Sequence, residues 1–333
     1  MFLFVVALSL LPLVLGYDQA EIVFAGDAMM HIGQIDAARR PGGAYDFSEY
    51  FAGVQEYIQD ADYAVVNLET PVSAAPFTGY PQFNAPGQYL DALADAGFDL
   101  FLTANNHTLD RRDEGLRNTI DSLDRRHLRH IGTYKCIDER ESVMPFVRTI
   151  NGIKVGFVNY TYGTNGLTPG RDVCVDYIDR DLMRRDVESA REKGAEFIFA
   201  CVHWGNEYQM YAHKSQHDLA KYLHELGVQA VIGSHPHVVQ PIEFEDGQLT
   251  VYSLGNFISN MRTRDTRGGA LVKVVLRRND EGKVVIDDVS HRLVFTEPAD
   301  GRHNFRLRWV EESADARAKA FAKQARKVLG DEQ

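Results

Sequence analysis

The stretch Val231-Ile232-Gly233-Ser234-His235-Pro236-His237 ends an apolar run with two histidines separated by one proline. A strand that stops on Gly and Ser delivers both imidazoles onto the loop at its C-terminal end. Pro236 fixes its own φ and, from sterics alone, pushes His235 towards an extended conformation. Two imidazoles at i and i+2 on a stiffened loop reach two adjacent points, which suits a pair of metal ions better than one. The same device recurs four times, with apolar runs that end at Asp27, at Glu69, at Asn106-His107 and at His203. Each alone has an ordinary explanation: a turn cap, a solvated strand end, a left-handed turn position, a rim histidine. Taken together they point to one site, because ligands of α/β sheets gather at the carboxyl ends of strands. Oxygen and imidazole donors without thiolates suit Mn, Fe or Zn at a hydrolytic centre. Two such ions about 3.5–4 Å apart can share one carboxylate, and Glu69, the central acidic strand end, is the natural bridge.

The elements that must position these residues alternate in type. Short apolar runs at Glu21–Ala25, Tyr63–Leu68, Phe98–Thr103, Phe197–Val202 and before Gly233 read as strands. Between them, helical spacing runs through Phe47, Tyr50, Phe51, Val54, Tyr57 and Ile58, and further helices are expected at Gln88–Ala96, Asp113–Arg126 and Lys214–Leu226. Asp179 is placed to cap another that ends at Gly194. Residues 73–88, rich in Pro, Gly and aromatics, read as a long loop, and Thr161–Tyr177 as an irregular one. Asn151-Gly152 and Asp246-Gly247 each separate two β-rich runs and predict tight hairpins. Ala270–Leu276 and Val284–Val289 read as a C-terminal hairpin, and 311–329 as a polar surface helix. No internal repeat or low-complexity segment is present.

Composition narrows the class. The chain has 333 residues and a formal net charge of −11, which argues against non-specific binding to nucleic acid or anionic membrane. Residues 1–16, MFLFVVALSLLPLVLG, are apolar and short, and are expected to be a secretory leader cut near Gly16 or Ala20, although no Lys or Arg precedes the apolar run. The expected location is therefore outside the cytoplasm, in the periplasm or cell envelope. Of three cysteines, Cys201 lies in an apolar run, and Cys136 and Cys174 are candidates for one disulfide.

Six motifs together resemble one family. They are Gly26-Asp27-Ala28-Met29-Met30-His31, Asn67-Leu68-Glu69, Asn105-Asn106-His107 with Asp110, His203-Trp204-Gly205 with Glu207, Gly233-Ser234-His235-Pro236-His237, and Ser253-Leu254-Gly255-Asn256-Phe257. Over residues 21–260 the chain resembles the CapA family of capsule and poly-γ-glutamate synthesis, which has the calcineurin-like metallophosphoesterase fold. That resemblance implies an α/β fold with a two-sheet β-sandwich flanked by helices. The expected organisation is a leader over 1–20, a catalytic domain over 21–300 and a helical extension over 301–333, although the motifs do not identify residues 261–333. By the same resemblance, Asp27, His31 and His237 hold one divalent ion, Asn106, His203 and His235 hold a second, and Glu69 bridges. His107 acts as general acid or transition-state stabiliser, and Asp110 orients it if the loop folds back. Two departures bear on metal spacing: the first pair is Asp-x-x-x-His where the wider superfamily has Asp-x-His, and the bridge is Glu rather than Asp.

Glu207, Asn256, Arg262 and Arg264 are the expected substrate contacts. The basic run Arg262–Arg267 is either a solvated loop or an anion clamp. The implied function is an exported dinuclear-metal hydrolase acting on a phosphoester or a γ-glutamyl amide, with an anionic surface polymer or a membrane synthase complex as partner. The alternative is a metal-bearing scaffold that binds polymer or synthase without chemistry. A periplasmic nucleotidase is a weaker third reading, since no base-stacking motif is evident in the sequence.

Overall fold

A computed structural model describes residues 19–331. Two sheets pack face to face. The first has eight strands, in the order Arg306–Trp309, Val284–Glu297, Gly268–Arg278, Gln19–Ala28, Tyr63–Leu68, Leu100–Leu102 and Arg129–Ile131, with Asn256–Ile258 pairing off this path onto the C-terminal end of Gln19–Ala28. The second has six, in the order Ile242–Glu245, Gln248–Val251, Ala230–Ser234, Phe197–His203, Ile153–Thr161 and Phe146–Ile150. The central strands of both sheets run parallel, which explains why they read as unbroken apolar runs: a parallel sheet is covered on both faces. Asn151 and Gly152 have φ of 45° and 83°, and Asp246 and Gly247 have φ of 50° and 75°, so both hairpins turn through the left-handed region as their sequences predict.

The sandwich core is aromatic. Phe24 of the first sheet meets Phe199 of the second at 4.8 Å between ring centres, and Tyr63 meets Phe157 at 5.5 Å. The opposite face of the first sheet, with Val23, Ala25, Ala64 and Val66, buries a second cluster that includes Phe47, Tyr50, Phe51, Val54 and Ile58. These side chains follow the predicted spacing, yet only Gln55–Gln59 is α-helical, and the residues before it form turns. Burial, rather than a continuous helix, is what the spacing encoded. On the second sheet's outer face the helices Arg180–Glu192 and Lys214–Glu225 bury Met183, Val187, Leu219 and Leu223. Asp179 caps the first of these by accepting from the Leu182 amide at 2.7 Å.

The C-terminal segment is not a helical appendage. Arg306–Trp309 adds an antiparallel edge strand to the first sheet, and the Leu307 amide donates to the Tyr50 carbonyl at 2.8 Å. The helix Ala316–Leu329 then buries Ala318, Phe321, Ala322 and Ala325, with Phe321 6.0 Å from Phe295. Cys136, Cys174 and Cys201 are all free thiols, so the expected Cys136–Cys174 disulfide is not formed. The apolar leader lies outside the described residues. Among the described residues no helix is long and apolar enough to cross a membrane.

A buried ion network braces the second sheet. Arg140 reaches Asp176 at 2.5 Å and Asp186 at 2.6 Å, Tyr160 donates to Asp186 at 2.8 Å, and Tyr134 donates to Asp176 at 3.2 Å. Burial lifts the Asp176 carboxyl to about 6 against the opposing pull of Arg140. Asp176 also fixes the chain beside the site: its amide donates to Gly132 and its carbonyl accepts from Thr161, each at 2.9 Å. Removing one partner of such a network strands uncompensated charge. Arg140→Met is therefore expected to destabilise the fold by about 3–5 kcal/mol in urea unfolding, and Asp176→Asn with Asp186→Asn in that background is expected to recover part of the loss. An Arg140→Met protein as stable as wild type would show that the network contributes nothing.

Candidate metal centre

The strand ends converge. Asp27, Glu69 and His203 place one ligand atom each within 4.8 Å of one another, and Glu69, His235 and His237 do the same. Glu69 belongs to both groups. It follows directly on the strand Tyr63–Leu68, two residues beyond Asn67. The Asn67 amide donates to Asp27 Oδ1 at 2.8 Å and to Glu69 Oε2 at 3.4 Å, and approaches His203 Nδ1 at 3.4 Å. Asn67 thus ties together three of the clustered side chains. The Asn67-Leu68-Glu69 motif contains it, but gives no sign that its amide holds the ligands together.

Asp27 and Glu69 are both wholly buried. Glu69 Oε1 has no hydrogen-bond partner, and it lies 3.7 Å from His203 Nε2 and 3.8 Å from His237 Nε2. His235 Nδ1 is likewise buried and without a partner. Burial and the neighbouring Asp27 charge raise Glu69 well above the usual carboxylate range. Burial drives His203 well below the usual imidazole range and His235 down to about 3, so both favour the neutral form that a metal needs. His237 differs: burial lowers it, but its hydrogen bond and charge contact with Asp27 at 3.2 Å outweigh that and raise it. Two buried carboxylates, unpartnered ligand atoms and neutral imidazoles make a pocket deficient in positive charge. The donor set, oxygen and imidazole with no thiolate, fits divalent transition metals.

The His-Pro-His loop departs from expectation. His235 has φ of 98° and His237 φ of 57°, so His235 does not take the extended form that Pro236 favours. The strain is held from outside: the His235 amide donates to Asp27 Oδ2 at 3.3 Å and the Pro236 carbonyl accepts from the Tyr208 amide at 2.8 Å. Gly233 permits the close packing just before the loop, since a Cβ there would stand 2.1 Å from the Tyr252 carbonyl oxygen.

Asn106 turns its Oδ1 towards His203 Nε2 at 2.9 Å, while its amide nitrogen reaches Asn165 Oδ1 at 3.3 Å and the Tyr162 hydroxyl. Tyr162 and Asn165, from the irregular loop, therefore set which end of the Asn106 amide faces the cluster. Ser234 Oγ holds the other His203 nitrogen at 3.0 Å. Nothing in the sequence around Tyr162 singled it out, yet its ring lies 4.6 Å from that of His235. His107 and Asp110 come together as the folding of the loop requires: Nδ1 to Oδ2 is 2.7 Å, and the same Asp110 oxygen accepts from the Phe83 amide at 2.8 Å. The Phe83 ring packs 4.6 Å from His107 and 5.2 Å from His31. Residues 73–88, expected only as a loop, thus form one wall of the site.

Other expected residues fall elsewhere. His31 stands outside both converging groups; its Nδ1 accepts from the Asn260 amide at 3.2 Å, and burial pushes it down to about 4. Asn256 is wholly buried and holds His237 Nδ1 at 3.0 Å, so it orients a ligand instead of meeting substrate. Arg264 is turned onto Asp265, with contacts of 2.5 and 2.6 Å, and is not available as a clamp. Arg267 is buried, which leaves Arg262 as the exposed arginine of the basic run that lines the site's margin. Glu207 is exposed beside Tyr208, with which it shares a hydrogen bond.

Comparison with known proteins places the chain in a family and a fold. The model of the family described as "Bacterial capsule synthesis protein PGA_cap" matches residues 21–261. The chain is 26% identical over 285 residues to the PGA biosynthesis protein CapA of Bacillus subtilis (strain 168), covering 82% of this chain and 72% of that protein. It is also 26% identical to the capsule biosynthesis protein CapA of Bacillus anthracis, covering 82% and 67%. Among solved structures, a putative 5'-nucleotidase from Staphylococcus aureus superposes with a TM-score of 0.53 at 13% identity, over 93% of this chain and 58% of that one. The NAD nucleotidase of Haemophilus influenzae gives 0.52 at 12% identity, over 95% and 56%. The chain thus spans little more than half of each nucleotidase, and the likeness shows a shared metallophosphoesterase-type fold. Because the matched family region contains every clustered strand end, from Asp27 to His237, the chain belongs to the bacterial capsule synthesis protein PGA_cap family.

Proposed function

We propose that this chain is a metal-dependent hydrolase of capsule or poly-γ-glutamate synthesis, exported to the cell envelope, with two divalent transition-metal ions as cofactors. The observation that supports it most is Glu69, a fully buried carboxylate with an unpartnered oxygen between His203 and His237. Asp27 and His237 would hold one ion, Asn106, His203 and His235 the other, and Glu69 both. Bound there, the metals would supply an activated water and a clamp for developing negative charge.

The residues of the chain do the rest. Asp110 accepts the Nδ1 proton of His107 and fixes the ring, leaving Nε2 to give a proton to the leaving oxygen or nitrogen. Phe83 packs edge-on against that ring and keeps bulk water from it, and His107 is only 4% exposed. Tyr162 and Asn165 hold the Asn106 amide in its ligand-facing orientation. The scissile bond is a phosphoester in this reading, with a γ-glutamyl amide as the other candidate. An anionic surface polymer or a membrane synthase complex would be its partner in the cell envelope. One observation favours a non-catalytic scaffold instead: His31, whose Nδ1 accepts from the Asn260 amide, stands outside both converging groups, which leaves the first ion fewer protein ligands.

Elemental analysis of Mn- or Zn-loaded protein is expected to give about two metals per chain, and Glu69→Gln is expected to lose metal and turnover together. A ceiling of one metal for every ion tried would exclude the dinuclear centre.

His107→Ala separates the enzyme from the scaffold. Removing one general acid slows turnover by roughly 10²–10⁴-fold, equivalent to about 2.7–5.5 kcal/mol in barrier. Metal content is expected to stay at the wild-type level, because His107 lies outside both converging groups. Full polymer production by cells carrying a metal-replete His107→Ala protein would leave the scaffold as the standing reading.

A further inference from the structure

Next to the candidate centre lies a groove of about 850 Å³, room enough for a drug-sized molecule. Its apolar walls are Ile32, Tyr80, Tyr208, Met210 and Met261. Tyr80 is 76% exposed, Tyr208 52% and Ile32 51%, so large apolar side chains that a fold ordinarily covers are presented here to solvent. The wall is built: Gly79, just before Tyr80, packs so tightly on the His31–Ile32 backbone that a Cβ would stand 2.4 Å from the Ile32 amide nitrogen. The groove is also continuous with the site. His31 lines it, the Tyr208 ring lies 6.2 Å from His237, and Phe83 bridges Tyr80 at 6.3 Å to His107 at 4.6 Å. A substrate whose reacting group sits at the cluster, with its leaving atom at His107, therefore extends into this groove.

Charge limits what that extension can be. Among the described residues lining the groove, Arg262 is the one arginine or lysine, and Asp265 lines it too, already held by Arg264. Glu207 adds a carboxylate beside Tyr208. A run of anionic units along the groove would meet a single arginine, against a chain of net charge −11. Exposed tyrosine rings instead offer flat apolar faces with polar tips, which suit an uncharged ring laid against them.

We infer that the groove holds the non-reacting part of the substrate, that this part is an uncharged ring with an apolar face, from a sugar or an aromatic, and that Tyr80 and Tyr208 select it. The inference rests on the hydrolase reading for which end of the substrate reacts, and it makes the groove's ligand a single ring-bearing ester instead of a stretch of polyanion. Arg262 would take at most one further acidic group.

Isothermal titration of the full, Mn-loaded chain with phenylphosphonate and methylphosphonate tests this. The phenyl compound is expected to bind about tenfold tighter or better, and Tyr80→Ala or Tyr208→Ala to cut that ratio by roughly fivefold or more, as loss of a stacking ring does elsewhere. Tyr80→Phe, which keeps the ring, is expected to preserve the ratio. Uncharged phenyl β-glucoside, followed by tyrosine fluorescence on metal-free protein, reads the groove without the metals, and phenol and methyl β-glucoside as separate probes tell an aromatic from a sugar. If neither phosphonate binds the metal-loaded chain while phenyl β-glucoside still binds and the tyrosine variants lose it, the hydrolase reading fails and the groove assignment stands. Equal affinity for the two phosphonates, or displacement of phenyl β-glucoside by a γ-glutamyl oligomer at lower concentration, would overturn the groove assignment.

Discussion

Two carboxylates buried side by side set the terms for the rest of this structure. Asp27 and Glu69 are wholly buried at neighbouring strand ends, and the nearest positive charge available to either is a histidine. An ionised carboxylate in such surroundings costs several kcal/mol unless it is paired. Asn67 and the His235 amide offset part of that cost for Asp27, but Glu69 Oε1 is left with nothing. Stability alone would favour apolar side chains at both positions. Keeping the charges is understandable if a cation completes them, and the downward shifts of His203 and His235 follow from the same burial.

The site's remaining features are ways of holding irregular backbone around that charge. His235 and His237 both occupy positive φ, where non-glycine residues are uncommon, and they stay there because Asp27 and Tyr208 fix the loop from two sides. The Thr161–Tyr177 loop is anchored through Asp176 to the Arg140 network, so the residues that orient Asn106 rest on a rigid support. Residues 73–88 are pinned by the bond from the Phe83 amide to Asp110, the same carboxylate that fixes His107. One acidic side chain therefore aligns both a prospective proton donor and the wall that shields it.

Likeness to the nucleotidases shows how little a shared fold says about chemistry. At 12–13% identity the sandwich is retained, with TM-scores just above 0.5. The local features of this chain are a glutamate shared by both converging groups, a histidine four residues beyond Asp27 that stands outside them, and an aromatic groove with one arginine.

The sequence by itself determined the strands, because apolar runs that stop on Gly, Asp or His are short-range signals that burial on both faces of a parallel sheet enforces. It thereby determined that Asp27, Glu69, His203, His235 and His237 would meet, since strand ends of one sandwich share an edge. It could not determine the reach of side chains across that edge. Family resemblance, not spacing, places His31 among the ligands, and tertiary packing brings the Asn260 amide onto its Nδ1. Asn256 and Arg264 carry the right chemistry for substrate and were spent on His237 and Asp265. The strand at Arg306–Trp309 was missed because four residues at a sheet edge carry almost no periodicity, and only their pairing with Val284–Glu297 makes them a strand. Tyr80 and Tyr208, 128 positions apart in sequence, line one groove because a close-packed glycine turn carries one there and a hydrogen bond to the Pro236 carbonyl holds the other. Contacts of that separation are fixed by the closing of the two sheets, which no local pattern records.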